Sequence, residues 1–272
     1  MSDFLCPVCR GALRLEDRSL RCAAGHTFDL ARQGYVNLLS GGGTRRSHGD
    51  DRLMVEARRA FLSQNHYAPL CNALSELVTR FAPDTPVLLD AGCGEGYYTE
   101  RVATALKNAG KLPRVLGIDL SREALIAFSR RSKESSLAVA SIADIPLADG
   151  SVNLLLNLFA PQADAEFLRV LARGGHLFCV FPLEDHLMGL KQRVYDTPYE
   201  NPAPSYAPEG FSLVCRKDVR ATLHLTNAED IQNLFLMTPY YYKTSRKDQE
   251  KVTHLTELTT PISFGIFVFE KM

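Results

Sequence analysis

The chain has 272 residues, 46% of them hydrophobic, and a formal net charge of zero from 31 Lys+Arg against 31 Asp+Glu. This excludes a disordered chain, a fibrous repeat and a uniformly basic protein that coats nucleic acid. The balance is uneven: residues 1–70 hold ten Arg and seven acidic residues, so a polyanion would be met mainly by the N-terminal part. No run approaches the ~18–20 apolar residues of a membrane span, and the N-terminus lacks a signal peptide's apolar core, so a cytoplasmic protein is expected. Seven Cys, three of them among the first 22 residues, point to a reducing compartment and metal binding rather than to disulfides.

Cys6, Cys9, Cys22 and His26 follow the pattern C-x2-C-x12-C-x3-H. Three thiolates and an imidazole make a closed tetrahedral shell for Zn²⁺, with no open position for a reacting water, so the metal is expected to be structural. Ala12–Leu15 and Ser19–Arg21 read as short strands around the acidic turn Glu16-Asp17-Arg18. The cluster lies more than sixty residues before the next Gly-rich turn, and on spacing alone it is expected to stand apart from any pocket there. The expected division is a zinc module over 1–39, a linker over 40–51 and a second domain over 52–272. Within the linker, Ser40–Asp51 has no apolar periodicity.

A helix is expected from about Arg52, capped by Asp50 or Asp51, and a second from Ala68 to Phe81 with apolar residues at i, i+3, i+4, i+7 and i+8. Arg45, Arg46, Arg58 and Arg59 either meet phosphate or form a solvated face. Strand and helix then alternate. Pro86–Asp90, Val115–Asp119, Leu137–Ala140, Val152–Phe159 and His176–Phe181 read as strands; Tyr98–Leu106, the stretch from Ser121 to Arg131 and Phe167–Leu171 read as helices. This alternation predicts an α/β doubly wound sheet with right-handed crossovers.

Ligands bind such sheets beyond the carboxyl ends of the strands. The first strand runs into Asp90-Ala91-Gly92-Cys93-Gly94-Glu95-Gly96, and Asp119, 29 residues past Asp90, suits the two hydroxyls of a ribose. A dinucleotide fingerprint is G-x-G-x-x-G. Here an acid precedes G-x-G-x-G, and a carboxylate suits the amino group of a cationic sulfonium ligand.

The turn Asp90–Gly96, the second motif Ile118-Asp119-Leu120, the loop Ala143-Asp144-Ile145-Pro146-Leu147 and the strand end Asn157-Leu158-Phe159-Ala160-Pro161 together resemble the Rossmann-like S-adenosylmethionine-dependent methyltransferases. With the zinc pattern, Gly34–Leu39, Ala57–Leu62, His66-Tyr67, Cys93–Thr99, His186-Leu187-Met188 and Met237-Thr238-Pro239, the whole chain resembles the RlmA-type methyltransferases, which modify N1 of a guanine in bacterial 23S rRNA. The resemblance implies S-adenosylmethionine contacts at Tyr67, Asp90, Gly92, Gly94, Glu95, Gly96, Asp119, Leu120, Asp144 and His186, with zinc at Cys6, Cys9, Cys22 and His26. It further implies a homodimer and a 23S rRNA hairpin loop as partner, rather than DNA or a membrane.

N1 of guanine lies on the pairing edge, so the base must be unpaired or flipped out to be reached. Asn157, Phe159 and Pro161 are acceptor-side candidates, and Tyr97, Phe159 and Tyr240–Tyr242 are candidate stacking residues. No residue declares itself the base that removes the N1 proton. The alternatives are a methyltransferase of another RNA position or of a small molecule, and a non-catalytic zinc-ribbon RNA-binding protein.

Overall fold

The computed structural model describes residues 3–39 and 52–272; the linker expected over 40–51 lies outside them. In chain order come β1 (Leu13–Glu16), β2 (Ser19–Cys22), β3 (Thr27–Asp29), β4 (Tyr35–Asn37), α1 (Arg52–Ser63), α2 (Ala68–Phe81), β5 (Val87–Ala91) and α3 (Tyr97–Asn108). There follow β6 (Arg114–Asp119), α4 (Arg122–Arg131), β7 (Ser136–Val139), β8 (Val152–Leu158), α5 (Asp164–Val170), β9 (Leu171–Pro182) and α6 (Met188–Val194). The C-terminal part holds β10 (Phe211–Leu225), α7 (Ala228–Leu236), α8 (Tyr240–Lys243), α9 (Arg246–Thr253) and β11 (Leu258–Lys271). Among the described residues no helix is long and apolar enough to cross a membrane.

Among the described residues the main sheet has eight strands, in the order β10-β11-β9-β8-β5-β6-β7-β4. β4 to β9 pair in parallel, whereas β11 runs antiparallel to both β9 and β10. After β5 the chain moves first to one side, to β6, and later to the other, to β8, so the strand ends of β5 and β8 open a crevice. Period-two alternation sorts the core: Leu88 and Leu154 face one layer, while Leu89 and Leu155 face the other. Such two-sided burial is why these strands read as continuous apolar runs.

The expected strands and helices up to β9 are present, with edges displaced by a few residues. Ser121 caps α4, its Oγ accepting the Ala124 N–H at 3.3 Å. The antiparallel pair β10–β11 has no counterpart in the sequence reading. Pro261 sits inside β11, where a missing N–H speaks against a strand. It is tolerated because β9 pairs with β11 only from Phe264 onward, and the Pro261 carbonyl accepts the Leu187 N–H at 2.9 Å. Tyr240–Tyr242, the candidate stacking residues of the C-terminal part, open the one-turn α8.

The N-terminal module does not stand apart. β1, β2 and β3 form their own antiparallel sheet, but β4 pairs with β7 and becomes the edge of the main sheet. Phe4, Leu13 and Leu20 belong to the same apolar cluster as Leu89, Ile118, Ile145 and Leu147. A three-stranded unit this small cannot enclose a core, so it borrows one.

Candidate active site

The turn after β5 is built on left-handed backbone. Gly92, Gly94 and Gly96 have φ of +90°, +53° and +79°. A Cβ at Gly96 would lie 2.3 Å from the Phe128 ring, and one at Gly92 would lie 2.7 Å from the Ala160 Cβ. Only glycine meets both demands there, the sign of φ and the close approach. Asp119, at the end of β6, knits the turn to the next helix: its Oδ2 accepts the Gly94 N–H and its Oδ1 the Ser121 N–H, both at 2.8 Å.

Asp90 is 2% exposed. Its Oδ2 accepts the Thr99 hydroxyl at 2.5 Å, while its Oδ1 is buried with no partner. Burial pushes its carboxyl up to about 7, the Asp119 charge adding to the rise and the Thr99 hydrogen bond opposing it. A buried, half-satisfied carboxylate at a strand end is what a cationic or hydrogen-bonding ligand would complete.

These groups open into a cavity of about 680 Å³, in the range of small-molecule sites. Its polar end is formed by Asp90, the glycine turn, Asp119 and Leu120, and one side by Ala140, Ile142 and Ala143. The lining also includes Met54, Arg58 and Leu62 of α1 and Met237–Tyr240; Arg58 Nη2 donates to the Met237 carbonyl at 3.5 Å, and its Nη1 lies 3.8 Å from where a Cβ on Gly94 would sit. Tyr67 and His186 line it as well, with ring centroids 6.3 Å apart. Burial, with the Lys191 charge, pushes the His186 imidazole down to about 3. Its Nδ1 accepts the Ser263 N–H at 3.2 Å, which leaves the proton of the neutral ring on Nε2.

Phe159 stands at the opening. Its φ is +58°, in the left-handed region, and half of it is exposed although it also packs against Tyr98 and Phe264. A large side chain held in a strained backbone and left half in solvent is poorly explained by packing alone. Pro161 also lines the cavity. Asn157 does not: it is buried and its amide donates to the Ala91 and Pro161 carbonyls, tying β8 to the glycine turn.

In the N-terminal module the ligand atoms of Cys6, Cys9, Cys22 and His26 all lie within 4.8 Å of one another, with Cys9–Cys22 at 3.6 Å and Cys22–His26 at 3.3 Å. A tetrahedron with Zn–S bonds near 2.3 Å has edges of about 3.8 Å, so the four groups fit zinc. The nearby hydrogen bonds lower the Cys22 thiol to about 6 against the opposing effect of burial, as suits a metal-binding thiolate.

Comparison with known proteins decides the family. Residues 4–41 match the model of the RlmA N-terminal domain, and residues 89–179 match a methyltransferase domain. A Streptomyces fradiae protein named 23S rRNA (guanine(748)-N(1))-methyltransferase is 40% identical over 230 residues, covering 81% of this chain and 79% of that protein. The chain belongs to the RlmA family of 23S rRNA (guanine-N1)-methyltransferases. A Bacillus subtilis protein, YxjB, provisionally named as a 23S rRNA (guanine-N(1)-)-methyltransferase, is 32% identical over 94% of this chain and 92% of its own length.

Within this RlmA-family chain the structure gathers most of the residues singled out from the sequence around one cavity: Tyr67, Asp90, Gly92, Gly94, Glu95, Gly96, Asp119, Leu120, Phe159, Pro161 and His186. Two lie elsewhere. Asn157 is a buried tie, and Asp144 is turned to the zinc module, where it forms an ion pair with Arg10. Glu95 reaches the cavity while bound to Arg131 Nε at 2.5 Å. Tyr97 is buried, with the guanidinium of Arg101 4.6 Å from its ring centroid, so it is a fixed wall and not an open platform. Sequence reasoning missed Met54 and Leu62 and left Arg58 between phosphate contact and solvated face. The amphipathic period of α1 was available, but nothing local says that its buried face looks onto a cavity.

Proposed function

We propose that this chain transfers the methyl group of S-adenosylmethionine to N1 of a guanine in a hairpin loop of 23S rRNA, acting as a homodimer in the bacterial cytoplasm. The observation that carries the reading is one cavity with two unlike ends: a buried acidic turn built for a small polar ligand, and an aromatic opening at Phe159.

S-adenosylmethionine, when bound, supplies a methyl group already activated by its sulfonium, so alignment and exclusion of water are the protein's share of catalysis. Asp119, already oriented by two backbone N–H groups, would accept hydrogen bonds from the ribose hydroxyls. The partnerless oxygen of Asp90 would take the amino group, and the bare backbone of Gly92, Gly94 and Gly96 would let the ligand approach. Tyr67, Glu95 and Leu120 would complete its surroundings, and His186 would donate from Nε2. A ring held neutral with so low a proton affinity is a poor base, so His186 serves cofactor binding and not removal of the guanine proton. Phe159, with Tyr240 and Pro161, would hold the extruded base by stacking and shape.

The test is product analysis. After incubation with undermethylated 23S rRNA and labelled cofactor, digests should contain 1-methylguanosine. Reverse transcription should stop one nucleotide before a single guanine, because N1 methylation removes a pairing donor. Label confined to 2-methylguanosine, 7-methylguanosine or a small molecule would defeat the reading.

A further inference from the structure

The zinc module meets the lining of the cofactor cavity at the loop from Ala140 to Leu147. Ala140, Ile142 and Ala143 line the cavity, and the next residues are gripped from outside it. Arg10 follows directly on the metal-ligand pair Cys6 and Cys9. It has a left-handed φ of +56°, and its N–H is bonded to the Cys6 carbonyl at 2.8 Å. Its guanidinium forms an ion pair with Asp144 through Nη2 and donates from Nη1 to the Ile145 carbonyl at 3.1 Å. One residue before Cys6, the Leu5 N–H donates to the Pro146 carbonyl at 2.8 Å. Beneath these bonds Phe4, Leu13 and Leu20 pack in one cluster with Ala140, Ile145 and Leu147. On the far side, α5 holds the same loop: Glu166 accepts the Ile145 N–H at 2.7 Å, and Arg169 donates to the Ile145 and Leu147 carbonyls at 2.7 and 2.8 Å.

We infer that the zinc ribbon braces the cofactor wall, with Arg10 as the positioning residue, so that metal at Cys6, Cys9, Cys22 and His26 strengthens cofactor binding. The inference rests on the reading of the cavity as the S-adenosylmethionine site. Both Arg10 and Asp144 are partly exposed, and an exposed ion pair between two free side chains contributes little. Arg10 differs in that its backbone is part of the turn that the metal closes. Its guanidinium therefore starts from a fixed base, and its bidentate reach spans a side chain and a main-chain carbonyl of the loop. Without zinc that turn loses the bonds that order it, and the brace loses its anchor. A ligand resting on Ile142 and Ala143 would then pay to order the loop itself. Because binding linkage is reciprocal, the cofactor must strengthen zinc binding by the same factor by which zinc strengthens cofactor binding.

The test uses the full chain, loaded with zinc, and S-adenosylhomocysteine as the probe, in calorimetry without RNA so that any contact of Arg10 with phosphate is silent. Arg10→Ala, with zinc content verified by metal analysis, should raise Kd by about 5- to 10-fold, within the usual span of coupling between sites. Arg10→Lys should recover part of the loss, since it keeps the charge but not the second hydrogen bond. Asp144→Ala, which lies outside the metal cluster, should weaken binding similarly, and the double variant should be little worse than either single one. Saturating S-adenosylhomocysteine should raise the apparent zinc affinity of the wild-type chain, measured by competition with a chelator, by about the factor seen for Arg10→Ala. In the Arg10→Ala chain that rise should be largely lost. Unchanged probe affinity in zinc-loaded Arg10→Ala and Asp144→Ala, or fully additive effects in the double variant, would overturn the brace while leaving the cofactor site standing. Failure of the wild-type chain to bind the probe at all would overturn both.

Discussion

The two long walls of the cavity are made in different ways. The polar wall comes from residues 90–96 and 119–120, a stretch of chain so short that strand, turn and helix define it almost alone. Its shape is held by positive φ at three glycines and by Asp119 on two backbone N–H groups. A second part of the lining joins Met54, Arg58 and Leu62 to Met237–Tyr240 and Phe264, segments about two hundred residues apart at their extremes, the first two brought together where α1 packs against α7. The first wall is a property of backbone conformation, the second of the tertiary core. It follows that the polar wall should tolerate almost no change of residue type, while the second part of the lining should respond in graded fashion.

The most severe break of the polar wall is Gly96→Ala. The new Cβ would meet the Phe128 ring at 2.3 Å in a left-handed conformation. Backbone strain and overpacking together should cost about 2–4 kcal/mol of stability in urea unfolding, with cofactor binding lost as well. A stable variant with normal cofactor affinity would show that the turn is more plastic than its geometry indicates.

A matched pair of substitutions sets the polar wall against the aromatic opening. Asp119→Ala should weaken S-adenosylmethionine binding by about 1.5–3 kcal/mol, the range for hydrogen bonds to charged groups. Phe159→Ala should leave that affinity nearly unchanged but raise the KM for RNA by the equivalent of about 1–3 kcal/mol, as expected for loss of one base-stacking partner. If Phe159→Ala instead affects only cofactor binding, the aromatic opening is not the acceptor side.

A last expected effect is graded with pH. Asp90 carries a carboxyl raised from an ordinary 3.8 to about 7, so between these values the folded free protein binds more protons than the unfolded chain. Its contribution to stability is thus full below about pH 4 and is lost as pH rises through about 7. An amino group that requires the carboxylate has the opposite preference. Cofactor affinity should therefore increase with pH, by up to about tenfold per unit below 7, and level off above it. Proton release, read from calorimetry in buffers of different ionisation enthalpy, should accompany binding near pH 6.5 and disappear in Asp90→Asn. A pH-independent affinity would remove Asp90 from the amino-group contact.

Most of the polar wall was legible because its signals are local. Gly92, Gly94 and Gly96 mark backbone that other residues cannot adopt, Asp90 and Asp119 mark strand ends, and the apolar runs of β5, β6 and β8 mark strands buried on both faces. The metal ligands were equally plain, since Cys6, Cys9, Cys22 and His26 have few other uses at that spacing. The pair β10–β11 was not legible. An edge strand with mixed exposure and a partner interrupted by Pro261 carry weak local signals, and their pairing is fixed by neighbours distant in sequence.

What the sequence determined by itself, then, is the class of sheet, the metal shell and the acidic glycine turn, because each depends on backbone sterics or ligand chemistry within a few dozen residues. Only the tertiary structure decided that Asn157 is a buried tie, that Asp144 turns toward Arg10, that Arg58 and Met237–Tyr240 close the cavity, and that the zinc module shares a core with the sheet. Those outcomes depend on which apolar surfaces are left to be covered once the sheet has formed. Burial of apolar area is non-directional and acts between any segments that can reach each other, so it leaves no fixed spacing in the sequence.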